Sequence, residues 1–113
     1  MITLNLKRDN YWLDILPNLR FFLRPASTAV IMAARTAALK DNPEDPIQRG
    51  TALLKCLADV AILEWEGVGD HDNNPLPPTT ENIKALLDLW PIAEAFERLY
   101  LAPALLLEQE KNV

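Results

Sequence analysis

The chain has 113 residues and a mass of 12.7 kDa, a length that fits one hydrophobic core and leaves no room for a second. Half of the residues are hydrophobic and 24% are charged, with 11 basic against 16 acidic side chains and a net charge of -5. That balance predicts a folded, soluble domain and argues against a sequence-independent grip on nucleic acid or on an anionic membrane.

Cys56 is the single cysteine and His71 the single histidine, so neither an intramolecular disulfide nor a thiolate-imidazole zinc site can be assembled, and a reducing compartment is expected. The first twenty residues carry Lys7, Arg8, Asp9 and Asp14 without an apolar run of seven, which predicts no secretory leader. The longest uncharged stretch, Pro25 to Ala34, is about half a membrane span. Charge is uneven along the chain: residues 1 to 40 sum to +4 and residues 41 to 113 to -9. Such a dipolar chain suits contact with a mixed-charge partner or head-to-tail contact between copies, but surface charge patterning discriminates weakly and simple compensation within one fold is the reading preferred.

Ile2, Leu4 and Leu6 alternate with polar residues and predict a short first strand. Two aromatic and branched runs, Tyr11 to Leu16 and Leu19 to Arg24, flank Pro17-Asn18 and predict a hairpin, with a type I turn and a bulge because proline cannot take positive φ. Tyr11, Trp12, Phe21 and Phe22 read as cross-strand packing. After Arg24-Pro25, Ser27 or Thr28 can cap a helix to about Lys40. Six alanines make that helix thin, and Val30, Ile31 and Met32, being consecutive, cannot all face one core.

Pro43 to Pro46 leads into a second helix expected to run to Glu66, almost apolar from Thr51 to Trp65 and therefore either central to the domain or the carrier of a subunit interface. Cys56 reads as a small core residue. Residues 67 to 79 form the one long loop. Thr79 or Thr80 then caps a helix from Glu81 to Leu89, and Pro91 opens a last helix whose stripe is Ile92, Ala95, Phe96, Leu99 and Tyr100. Pro103 is expected to kink or end it, ahead of Leu105, Leu106 and Leu107 and a polar tail, 108 to 113. The fold class is α+β, mainly α: an N-terminal hairpin of two or three strands on a bundle of about four helices, one domain over residues 1 to 113, with segments 1 to 24, 25 to 66, 67 to 79, 80 to 107 and 108 to 113.

No catalytic constellation emerges. Asp70, Asp72, Asn74 and Glu81 overlay the carboxylate spacing of a calcium-binding EF-hand loop, but the obligatory sixth-position glycine is Pro75, with Pro77 and Pro78 close behind. Glu64 and Glu66, two apart on the expected helix, would point away from each other. Ser27 is the only serine and precedes no glycine-rich elbow, and glycine is confined to positions 50, 67 and 69. The expectation is no enzyme activity, no metal and no cofactor.

The run Leu63-Glu64-Trp65-Glu66-Gly67-Val68, an acidic Asn-rich turn, Pro75-Leu76-Pro77-Pro78-Thr79, and Thr80-Glu81-Asn82-Ile83 ahead of Leu86-Leu87 is similar to the signature of small tail assembly chaperone-like proteins of long-tailed phages and prophages. Leu23-Arg24-Pro25 before an alanine-rich helix, and the tail from Tyr100 to Glu110-Lys111-Asn112, resemble that family too. The usual acidic-glycine turn is Asp72-Asn73-Asn74 here, and Pro91 and Pro103 interrupt the terminal helix. The resemblance implies a non-enzymatic protein of the host bacterial cytoplasm, absent from the mature virion, that holds the tape measure protein soluble and assists the tail tube protein.

Partner contact is expected at Val30, Ile31, Met32, Tyr100, Leu105, Leu106 and Leu107, with burial between copies in a homo-oligomer as the other way to cover them. Trp65, Gly67, Val68, Pro75, Leu76, Pro77, Thr79, Glu81 and Asn82 are expected to be mainly structural, Trp65 as a core anchor and Gly67 as a helix C-terminal cap. The rival expectations are a head-tail connector or other virion component, or a bacterial protein-interaction adaptor.

Overall fold

The computed structural model describes residues 9 to 41 and 44 to 105. The elements run β1 (Tyr11–Leu16), β2 (Leu19–Leu23), α1 (Thr28–Asp41), α2 (Pro46–Ala61), β3 (Ile62–Glu66), α3 (Thr80–Leu86) and α4 (Trp90–Phe96), with a π-helical turn at Glu97–Leu101. The fold is α+β and mainly α, as the patterning predicts. The expected strand at Ile2 to Leu6 and the residues Leu106 and Leu107 lie outside the described residues.

The hairpin pairs Trp12 with Phe22, Leu13 with Phe21 and Asp14 with Arg20, and the strand order of the antiparallel sheet is β1-β2-β3. Asn18 takes φ 66°, which rules out a type I turn at Pro17-Asn18, where the second central residue needs φ near about −90°. The expected bulge is present as a register shift between Asp14 and Leu16, on the strand before the turn. Proline presets φ at the first turn position, and asparagine tolerates the left-handed region at the second.

The third strand corrects the sequence reading. The second helix stops at Ala61, and Ile62–Glu66 pairs with β2: Trp65 opposite Phe21, Glu64 opposite Phe22, and Glu66 opposite Arg20. Ala52 to Leu63 is apolar enough to continue a helix, but Leu63 to Glu66 also alternates apolar and polar, and the open edge of the hairpin supplies a partner for that second pattern. The Arg24 N–H donates to the Ala61 carbonyl at 2.9 Å, joining the end of the hairpin to the end of α2. Glu64 and Glu66 consequently share one face of a strand, where the helical reading had them diverge.

The core fills the space between the sheet and the helices. Leu19, Phe21 and Leu23 are buried along one face of β2; Phe21 meets Trp65 (ring centroids 6.3 Å) and Phe96 (6.2 Å), and Phe96 stacks on Tyr100 (5.0 Å). From the helices come Val30 and Ala34 of α1, Cys56, Leu57, Ala58 and Ala61 of α2, Ile83 of α3, and Ile92, Ala93 and Ala95 of α4. On the opposite face of the sheet Trp12 pairs with Phe22 at 5.2 Å, and the Arg20 guanidinium lies 4.3 Å above the Trp12 ring, 3.7 Å from Glu66.

Helix starts follow local chemistry. Ser27 Oγ accepts from the Val30 N–H (3.3 Å), Asp45 Oδ1 from the Ile47 N–H (2.9 Å), and Thr79 Oγ1 from the Asn82 N–H (3.2 Å), while Pro46 and Pro91 occupy first-turn positions that need no donor. Pro103 does not end the last helix, which stays helical to residue 105. The ladder widens just before it, and the Ala102 N–H reaches back to the Glu97 carbonyl, so the turn absorbs a residue that has no N–H to offer.

Candidate interaction surface

The residues of the Trp65 to Asn82 block are tied to one another. The Trp65 indole N–H donates to the Leu76 carbonyl at 2.7 Å, the Leu76 N–H donates to the Val68 carbonyl at 3.1 Å, and Gly69 forms an antiparallel bridge with Pro75. Asn82 Nδ2 donates to the Pro77 carbonyl at 2.9 Å while Thr79 caps α3, whose first turn holds Glu81. The proline-rich loop is thereby folded back along β3 and delivered to α3. Gly67 is not a helix cap, since no helix ends there: it turns the chain after β3 with φ +95°, against the backbone of the hairpin turn.

Asp70 organises the acidic loop. Its carboxylate accepts from the Asp72 N–H (2.9 Å), the Asn74 N–H (3.0 Å) and Asn74 Nδ2 (3.4 Å). The hydrogen bond from the Asn74 N–H, with that from Asp72, holds the Asp70 carboxyl below the usual carboxylate range. His71 is exposed, its Nε2 3.4 Å from Asp72. Among the described residues no three His, Cys, Asp or Glu side chains gather as a metal site, and no helix is long and apolar enough to cross a membrane.

Cys56 is buried, with its Sγ 3.6 Å from Asp41 Oδ2, an oxygen that also accepts from Lys84 Nζ at 3.2 Å. Burial is the main cause pushing the Cys56 thiol up, and the hydrogen bond to Asp41 holds the Lys84 ammonium above its ordinary value. A cationic neighbour for this thiol exists in space, brought by α3 from 28 residues downstream in sequence.

Of the residues expected to touch a partner, Val30 and Tyr100 are inside the core, and Ile31 is half-buried against it. Val30 and Ala34 fall four residues apart on the inner stripe of α1, which decides the ambiguity left by three consecutive apolar residues. Tyr100 is aimed inward by its stack on Phe96. Met32 is exposed, as is Leu105. Leu39 (79% exposed), Ile47 (82%), Leu53, Leu89 and Trp90 (70%) join them, none of which was expected to touch a partner. The available signals were the position of Leu39 beside Met32 once Val30 and Ala34 mark the inner stripe, and that of Trp90 ahead of the Ile92, Ala95 and Phe96 stripe.

The architecture defines a small α+β protein whose helices carry large apolar side chains on their solvent side. The chain belongs to the YdaY prophage protein family, whose model matches residues 23–113, from the last residue of β2 onward. Neither a curated protein nor a solved structure matches it.

Proposed function

We propose that this prophage protein is a non-enzymatic tail assembly chaperone of the host cytoplasm, which binds the tape measure protein, keeps it soluble and presents it to the tail tube protein. The observation that carries this reading is the apolar surface outside the core: Met32 and Leu39 on α1, Ile47 and Leu53 on α2, and Leu89 and Trp90 at the start of α4. Large side chains of this kind gain about 1.5–3 kcal/mol each on full burial, and a binding partner is a ready means of burying them. The net charge of -5 favours a loaded complex that stays in solution. Membership of a prophage family and the resemblance of the Trp65 to Ile83 block both support a role in phage assembly.

Co-expression with the tape measure gene of the same prophage tests the proposal. Soluble tape measure protein should rise when this chain is present and should fall back with Met32→Lys/Leu39→Lys, a variant that alters only exposed positions and keeps its circular dichroism. Equal solubility with and without the chain overturns the reading, and retention of the protein in purified virions assigns it instead to the particle.

A further inference from the structure

The exposed face of α1 has a charge arrangement of its own. Arg35 and Lys40 are five residues apart, about 140° of helical rotation, and Thr28, Ala29, Met32, Thr36 and Leu39 project between them. The Thr36 hydroxyl donates to the Met32 carbonyl at 3.0 Å, which takes that donor out of competition, and Thr28 adds one hydroxyl at the start of the helix. The single acid of the helix, Asp41, is turned to Lys84 and Cys56. Among the described residues neither Arg35 nor Lys40 has an ion-pair partner. The result is an apolar strip with a free cation on each flank, in a protein whose net charge is negative.

We propose that this face of α1 docks an amphipathic helix of a partner protein, in which an apolar stripe is flanked on both sides by Asp or Glu. The apolar strip pairs with the partner's stripe, and Arg35 and Lys40 pair with its flanking acids, the arrangement by which flanking charges select partners between packed helices. A second copy fits less well. Two α1 faces in contact bring like charges together, and the acids beside the apolar pair Leu89 and Trp90 are already engaged, Asp88 with Lys55 and Glu94 with Arg98. Two cations without an aromatic residue on the face, on a chain of net charge -5, are a poor match to a membrane surface. The inference names the chemistry of the partner in the function proposed above and rests on that reading for its biological meaning only.

The test uses the full chain and two synthetic helical peptides with the same leucine stripe, one flanked by Glu and the other by Lys. At low salt the Glu-flanked peptide should bind at least tenfold more tightly than the Lys-flanked one, against the preference that the net charge alone would impose. The variant Arg35→Glu/Lys40→Glu should invert that order, and Met32→Gln/Leu39→Gln should weaken both peptides, each with unchanged circular dichroism. Equal binding of the two peptides, an order that survives the double reversal, tighter binding to phosphatidylglycerol vesicles than to either peptide, or self-association abolished by Met32→Gln/Leu39→Gln would each overturn the proposal. A failed co-expression with a positive peptide result would leave the docking face intact and remove only the tape measure protein as its occupant.

Discussion

The hydroxyl of Tyr100 donates a 2.7 Å hydrogen bond to the carbonyl oxygen of Arg24, across 76 residues of sequence. Arg24 ends the hairpin and its N–H already binds Ala61, so the bond fastens the last helical segment to the junction of β2 and α2. Tyr100 is 2% exposed and stacked on Phe96. It therefore serves cohesion of the fold, whereas the apolar run in which it stands suggested contact with a partner.

Replacing Tyr100 by Phe keeps the ring and leaves the Arg24 carbonyl without that donor. The expected cost is about 1–2 kcal/mol, seen as a lower midpoint in thermal or urea unfolding with an unchanged native spectrum. Burial pushes the Tyr100 hydroxyl well above its ordinary value of 10.0, with the nearby Tyr11 adding to the rise. Above about pH 10 the unfolded chain loses this proton while the native chain keeps it, so the stabilisation present below that pH declines as the medium becomes more alkaline. Tyrosinate absorbance followed beside unfolding midpoints from pH 9 to 12 checks the sign: Tyr100 should ionise only as the protein unfolds, and Tyr100→Phe should flatten the alkaline loss.

Two glycines should respond in opposite directions to alanine. A Cβ on Gly67 would lie 1.8 Å from the Asn18 carbonyl oxygen and would have to exist at φ +95°, so Gly67→Ala should cost several kcal/mol, of the order of ~3 or more, and disrupt the contact between the hairpin turn and the chain leaving β3. Gly50 lies within α2 with nothing within 4 Å of an added Cβ. Gly50→Ala should stabilise by about 0.4–1 kcal/mol through reduced freedom of the unfolded chain. Paired chemical denaturation curves decide both, and equal effects at the two positions would contradict the geometry.

The acidic loop should be indifferent to calcium and sensitive to acid. The lone pairs a metal would need on Asp70 accept hydrogen bonds from Asp72 and Asn74, and millimolar calcium should leave the thermal midpoint where it was. The depressed Asp70 value means that its stabilising effect is present above 3.8, the value in an unfolded chain, and is lost as pH falls through the lower native value. Carboxyl resonances followed by NMR from pH 5 to 2 should show Asp70 protonating at lower pH than an ordinary aspartate, and Asp70→Asn should remove the acid dependence of the loop amide shifts.

Much of this protein is decided locally and is legible in its residues. Pro17-Asn18 between two aromatic runs specifies the hairpin. Ser27, Asp45-Pro46, Thr79 and Pro91 specify where helices begin, because a cap or a first-turn proline acts on backbone groups within three residues of itself. The tertiary structure decided what depends on distant partners. Ile62–Glu66 is a strand because the free edge of β2 accepts it, and the same residues without that edge carry a pattern that also suits helix. Tyr100 turns inward and Leu39 outward because the inner stripe of each helix is set by what lies opposite, Phe96 and Arg24 for the one, α2 against Val30 and Ala34 for the other. Periodicity measures how many faces of a helix are apolar, and only packing assigns one of them to the core and leaves another for a partner.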